Sequence, residues 1–155
     1  MIVKPSGMLR NVRNCSNACT PTCPDGWEEF EGRCFFWVRN NKTSWDAAEN
    51  FCQNEGGHLA SVTSKEDQAY MLDRVGRKPV WIGATDRKRE GFWEWTDCSS
   101  FNFTGWASGE PSQVLSENQN CGLFRAAKHH KGWSDVDCNT SLDFVCARTV
   151  CTGII

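Results

Sequence analysis

No stretch of this chain approaches the ~20 consecutive apolar residues of a membrane-spanning helix, so no membrane span is expected. Met1-Ile2-Val3-Lys4 lacks the apolar run of a signal peptide, and export would need a signal already removed or an added Met1. Neither charge sign is in excess: the formal net charge of -2 exerts no global pull on nucleic acid or anionic membranes, which leaves polar specificity to local charge. Cys-x-x-Cys is absent as well, and without paired knuckles a zinc site is disfavoured. Catalytic parts are also missing: there is no Ser-His-acid order with elbow glycines and no His-Glu-x-x-His. Glu110 and Glu117 would be the carboxylate pair of a glycosidase, but nothing else supports that chemistry. The expectation is a protein that is not an enzyme.

What the chain does have is cysteine and tryptophan. Ten cysteines in 155 residues is an even, high count that points to disulfides and an oxidising, extracellular compartment. With 39% hydrophobic residues and 8 Trp, the length suits one domain with a real core and is too short for two. Sequons at Asn14, Asn41, Asn102 and Asn139 agree with a secreted glycoprotein.

Residues 1–22 are polar and aperiodic and read as an irregular arm; residues 23–151 read as the domain. Turn residues at Cys23-Pro24-Asp25-Gly26 and the aromatic run Gly32 to Val38 suggest a hairpin closed by Cys23 and Cys34. Ser44 to Glu55 places Trp45, Ala48, Phe51 and Cys52 at helical spacing, with Gly56-Gly57 as the stop. Thr63-Ser64-Lys65-Glu66 forms a capping box before Ala69, Leu72 and Val75, the second helix. Strand-like runs follow at Val80 to Ala84, Phe92 to Thr96, Cys121 to Arg125 and Leu142 to Arg148. The class is α+β, two helices flanking antiparallel sheets. Between Thr96 and Cys121 runs a long aperiodic loop of the kind that carries function.

The ordered landmarks of this chain resemble the C-type lectin-like domain family over about residues 23 to 148. They are Cys23-Pro24-x-Gly26-Trp27, Trp45 and Ala48 ahead of Cys52, Gly57 to Val62, Trp81-Ile82-Gly83-Ala84, and Trp93-x-Trp95-Thr96-Asp97. Trp106, Glu110-Pro111-Ser112, Trp133-Ser134-Asp135-x-x-Cys138 and Phe144-Val145-Cys146 continue the series. The resemblance implies the disulfides Cys23–Cys34, Cys52–Cys146 and Cys121–Cys138. Cys15, Cys19, Cys98 and Cys151 remain, with three internal pairings open. A bridge from the arm to Cys151 and a link to a second chain are the two alternatives, and a non-covalent oligomer stays open too.

Sugar-binding members of the family hold one calcium ion that in turn holds vicinal sugar hydroxyls. Carried over to this chain, the ion's positions are Glu110, Ser112, Gln119, Ser134 and Asp135, with Glu117 able to take a missing place because the loop is one residue longer. The resemblance implies a cis peptide before Pro111. Ser112, Gln119 and Ser134 stand where amides or carboxylates are usual, and each lost carboxylate weakens a calcium site. An auxiliary calcium position falls on Asp86 and Glu90, but its other places are the neutral Gln113 and Asn120. That second site is expected empty, with Asp86 and Glu90 solvating a hairpin tip. Trp133, Trp106 and Phe124 read as packing, and Lys128-His129-His130-Lys131 as a solvated basic loop that would touch an acidic or sulfated glycan if it lay beside the calcium.

The expectation is therefore an extracellular lectin whose calcium site binds glycans of mannose or galactose type. The alternative is a lectin-like domain that has lost calcium and sugar and recognises a protein, a mineral or ice.

Overall fold

The computed structural model describes residues 15, 19–111 and 119–151. Strands β1 (Glu28–Phe30) and β2 (Arg33–Thr43) form a hairpin in register Phe30↔Arg33. Its two-residue turn places Glu31 and Gly32 at φ 49° and 79°, the twist that suits a tight hairpin. Cys23 and Cys34 close it, with Cα atoms 5.5 Å apart.

Helix α1 (Trp45–Asn54) starts where Ser44 Oγ accepts from Ala47 N, and it buries Trp45, Ala48, Glu49 and Cys52 along one face. Gly56 at φ 85° turns the chain out of it. A two-residue strand β3 (His58–Leu59) follows. Helix α2 (Lys65–Val75) is capped one residue later than the box read from the sequence. Ser64 Oγ accepts from Asp67 N, and the Asp67 carboxylate accepts in return from Thr63 N at 3.0 Å. Asp67 takes the reciprocal role expected of Glu66 because it also pairs with Arg33 at 3.1 Å.

Strands β4 (Val80–Thr85), β5 (Glu94–Trp95), β6 (Cys121–Ala127), β7 (His130–Val136) and β8 (Leu142–Thr149) complete one sheet, ordered β1-β2-β8-β4-β6-β7. β3 adds to β8 and β5 to β4. The expectation of antiparallel sheets holds for every pair but one: β4 runs parallel to β8 at Val80↔Asp143. Their separation in sequence leaves room for the crossover that parallel strands need. Two readings change. The run Phe92 to Thr96 shrinks to Glu94–Trp95, with Phe92 58% exposed beneath the Arg89 guanidinium. His130–Val136, taken as part of a loop, is a strand.

Successive β4 residues face opposite ways, so the sheet is buried on both sides. One core gathers Val80, Ile82, Met71, Trp95, Phe124 and Trp133. The other gathers Trp45, Leu59, Trp81, Leu123 and Phe144 with Cys52 and Cys146. Trp45 Nε1 donates to Ile82 O and Trp81 Nε1 to Thr43 O, both at 2.8 Å, so these buried indoles keep a partner.

All ten cysteines pair within the chain. Cys52–Cys146 and Cys121–Cys138 are joined as the resemblance implies, and Cys19–Cys151 and Cys15–Cys98 account for the other four. No cysteine is left for a bridge to a second chain. The arm is also held by backbone pairing, Thr20 N donating to Thr149 O at 2.9 Å and Cys151 N to Thr20 O at 2.8 Å. Asn41, Asn102 and Asn139 are exposed; Asn14 lies outside the described residues.

Candidate functional site

Three strand ends meet at one rim. Register pairs Thr85 with Cys121 and Cys121 with Val136, so Asp86, Asn120 and Asp135 lie at the same end of β4, β6 and β7. Asn120 O joins them by accepting from Thr85 Oγ1 at 2.7 Å and from Asp86 N at 3.2 Å. The Cys121–Cys138 bridge, Cα atoms 5.1 Å apart, ties the start of β6 to the segment leaving β7.

The long loop returns to this rim through Trp133. Its N–H donates to Gly105 O at 3.1 Å, and its carbonyl accepts from Ala107 N at 2.9 Å. Glu110 N then donates to Ala107 O at 2.9 Å, which folds the loop back three residues beyond the pairing. Glu110 and the Ser134-Asp135 pair thus ride on segments bonded to one residue. The Glu110–Pro111 peptide is cis. Gly132, at φ 124°, allows the approach, because a Cβ there would collide with Gly105 O. Ser112, Glu117 and Gln113 lie outside the described residues.

Sequence reasoning missed Gln68. From the buried side of α2 its Oε1 accepts from Trp133 Nε1 at 2.9 Å and its Nε2 donates to Gly105 O at 3.1 Å. One amide clamps both the strand and the loop that carry the site. A Gln on a helix reads as solvent-facing, and its only signal is its place one turn ahead of the buried Met71. Trp133, expected to pack, is completely buried. Glu49 was missed too: its carboxylate accepts from Leu59 N, Gln53 Nε2 and Thr96 Oγ1 and meets His58 Nδ1 at 2.7 Å, tying α1 to β3 and β5.

The rim is acidic. Asp86 is 2% exposed, which corrects its reading as a solvated hairpin tip; only Glu90 is exposed. Asp86 Oδ2 accepts from Gly91 N at 2.8 Å, while its buried Oδ1 has no hydrogen-bond partner among the described residues. Gln119 Oε1 is in the same condition. A hydrogen bond to Asp86, reinforced by the charges of Asp86 and Asp135, raises the Glu90 pKa above its ordinary 4.5. Ser134 and Asp135 are buried, at 6% and 7% exposure. Among the described residues these acids do not form a set of three His, Cys, Asp or Glu around one point. The oxygen donors at this end are a mixture, carboxylates at Asp86, Glu90, Glu110 and Asp135 with amide oxygens at Gln119 and Asn120. Calcium accepts such a mixture, and two buried orphan oxygens are what a cation would satisfy.

The Lys128 to Lys131 segment is not beside this rim. Lys128 and His129 form the two-residue turn at the opposite end of the β6–β7 hairpin. Five residues of strand separate His130 from Asp135, about 17 Å. Burial, with Arg125 nearby, holds the His130 imidazole below its ordinary value.

The model for the lectin C-type domain matches residues 41–148 of this chain. The C-type lectin lectoxin-Lio1 of Erythrolamprus poecilogyrus is 39% identical over 132 residues, 81% of this chain and 80% of that relative. A calcium-independent type II antifreeze protein superposes with TM-score 0.76 at 36% identity, covering 84% of this chain and 96% of that one. The cow carbohydrate-recognition domain of CD23, crystallised in the presence of a GlcNAc2Man3 oligosaccharide, superposes with TM-score 0.77 at 28% identity, covering 85% and 99%. Matched in sequence over most of its length and in fold over the same span, this chain belongs to the C-type lectin domain family.

Proposed function

We propose that this chain is an extracellular lectin domain that holds one calcium ion at the rim and binds glycan hydroxyls through it. The observation that carries the reading is the buried Asp86 carboxylate, whose Oδ2 accepts from Gly91 N and which is crowded by the acids Glu90 and Asp135. A buried carboxylate crowded by like charges is costly, and a divalent cation would offset that cost. Because no three acids among the described residues surround one point as they stand, the ion would have to draw Glu110, Asp135, Gln119 and Asn120 in towards it, with Ser112, Ser134 and Glu117 as further donors. Calcium would supply a fixed positive charge to polarise and position two sugar hydroxyls, which the same side chains hydrogen-bond. With several neutral positions the site is weak, and useful strength would come from presenting several domains together. Mannose-type and galactose-type sugars remain the two candidate classes.

Calorimetry with Ca²⁺ and a glycan array with and without chelator test the reading. A glycan signal that chelator removes supports it, and Glu110→Ala should abolish that signal while the melting curve without calcium is unchanged. Silence with and without calcium overturns it. That result would favour the second reading, a domain that has lost calcium and meets a protein, mineral or ice, for which the fold likeness to a calcium-independent antifreeze protein speaks.

The Glu90 shift gives a pH prediction. Its raised value means the folded chain holds a proton that the unfolded chain has released, so this group stabilises below 4.5 and loses that contribution as pH rises through the raised value. Calcium would replace the proton. The calcium-induced rise in melting temperature is expected to be larger near about pH 7.5 than near about pH 5. Scanning calorimetry at both values checks it, and an equal rise would remove Glu90 from the ion's surroundings.

A further inference from the structure

We propose that the end of the domain opposite the rim, carrying Arg77, Lys78, Arg125, Lys128 and Lys131, is a second binding surface for a sulfated polysaccharide. Two segments distant in sequence build it. Ala126 N donates to Gly76 O at 3.0 Å, so the α2–β4 connection lies against β6, and β7 pairs Ala126 with Lys131 and Arg125 with Gly132. Gly76 and Lys131 thus lie on either side of Ala126, and Arg77 and Lys78 directly follow Gly76 in the chain. Lys128 projects from the turn just beyond.

No acid lies within the two segments that carry this charge, and the neighbouring strand's Asp143, paired with Val80, is buried and accepts from Asn41 N at 3.1 Å. Residues 74–80 and 121–134 contain no Asp or Glu, and none of the five is ion-paired among the described residues. Arg77, Lys78, Lys128 and Lys131 are exposed, while Arg125 Nε and His130 Nδ1 are buried without a hydrogen-bond partner there. Arg39 adds its charge at the same end, donating to Arg74 O and Val75 O at the last turn of α2.

The chemistry of the surface selects among polyanions. Phe92 is the one large hydrophobic exposed among the described residues, and it follows Asp86 at the far rim. The basic end therefore presents no exposed aromatic for base stacking and no apolar wedge for a bilayer. Five disulfides place the chain in an oxidising, extracellular setting, where dense negative charge is carried by sulfated sugars. Binding would release counterions and so be steeply salt-dependent.

The experiment measures binding to immobilised heparin in chelator, so that it is blind to the calcium reading. Wild type should bind with an affinity that falls as salt rises. The variant Arg77→Ala/Lys78→Ala/Lys128→Ala/Lys131→Ala should bind at least about tenfold more weakly with a shallower salt slope, while its melting temperature and any calcium-dependent glycan signal are unchanged. Heparin stripped of sulfate should bind weakly to both. Equal binding by wild type and variant, equal binding of desulfated heparin, or tighter binding to single-stranded DNA or to phosphatidylserine vesicles would each overturn the proposal. So would loss of heparin binding in Glu110→Ala, which would assign it to the rim.

Discussion

Replacing Trp133 by alanine is expected to destabilise the domain by about 3 to 5 kcal/mol and to abolish any calcium response. The indole is wholly buried and meets four other rings, with centroids at 5.2 Å for Trp95 and Trp106, 5.8 Å for Phe101 and 6.2 Å for Phe103. Three of those rings belong to the long loop, so the cavity would open between the loop and the sheet. The same truncation leaves Gln68 Oε1 without its donor. For a chain of this length the melting temperature should drop by roughly 10 °C. Trp133→Phe separates the two contributions, since it keeps most of the burial and loses only the bond to Gln68, about 1 to 3 kcal/mol. If Trp133→Ala melted within about 3 °C of wild type, the loop would not depend on this indole and the account of how the rim is assembled would fail.

Removing the Cys52–Cys146 bridge as a double alanine variant is expected to cost about 4 kcal/mol from chain entropy alone. The bridge spans 94 residues, against 11 for Cys23–Cys34, whose loss should cost about 3 kcal/mol on the same basis. Cys19–Cys151 encloses the longer loop and already restricts the unfolded chain, which keeps the figure below that of an isolated cross-link. Both sulfurs sit in the core beside Trp45, Leu59 and Phe144, so a packing defect adds to the entropic loss. Urea denaturation of the two double variants ranks them. A Cys23/Cys34 variant that proved the less stable would show that the contacts this bridge holds in the hairpin outweigh loop length.

Local features were legible. Ser44 and Gly56 bound α1 where the sequence places them, because a cap and a left-handed glycine act within a few residues. The Cys23–Cys34 hairpin is equally local. The second cap slipped by one residue because Asp67 answers to Arg33, 34 residues away. Strand β7 was illegible because Lys128 to Lys131 reads as solvated charge, while its strand character comes from pairing with β6. Phe92 misled in the other direction: its aromatic side chain suits a strand, yet it lies exposed under Arg89. For the site, Glu110 and Asp135 could be named through the family resemblance, position by position. The clamp by Gln68, the burial of Asp86 and the distance of the basic turn from the rim could not.

The order of tryptophans, glycines and cysteines by itself determined the family, the α+β class, the two helices and which residues could offer oxygen to an ion. Only the tertiary structure decided how the last four cysteines pair, that β4 lies parallel to β8, and that the basic β6–β7 turn lies at the opposite end of the strands from Asp86 and Asp135. The reason is that helix caps and turns are satisfied by neighbours in sequence. Strand pairing, buried charge and cross-links depend instead on which distant segments exclude water together, and no window of the chain contains both partners.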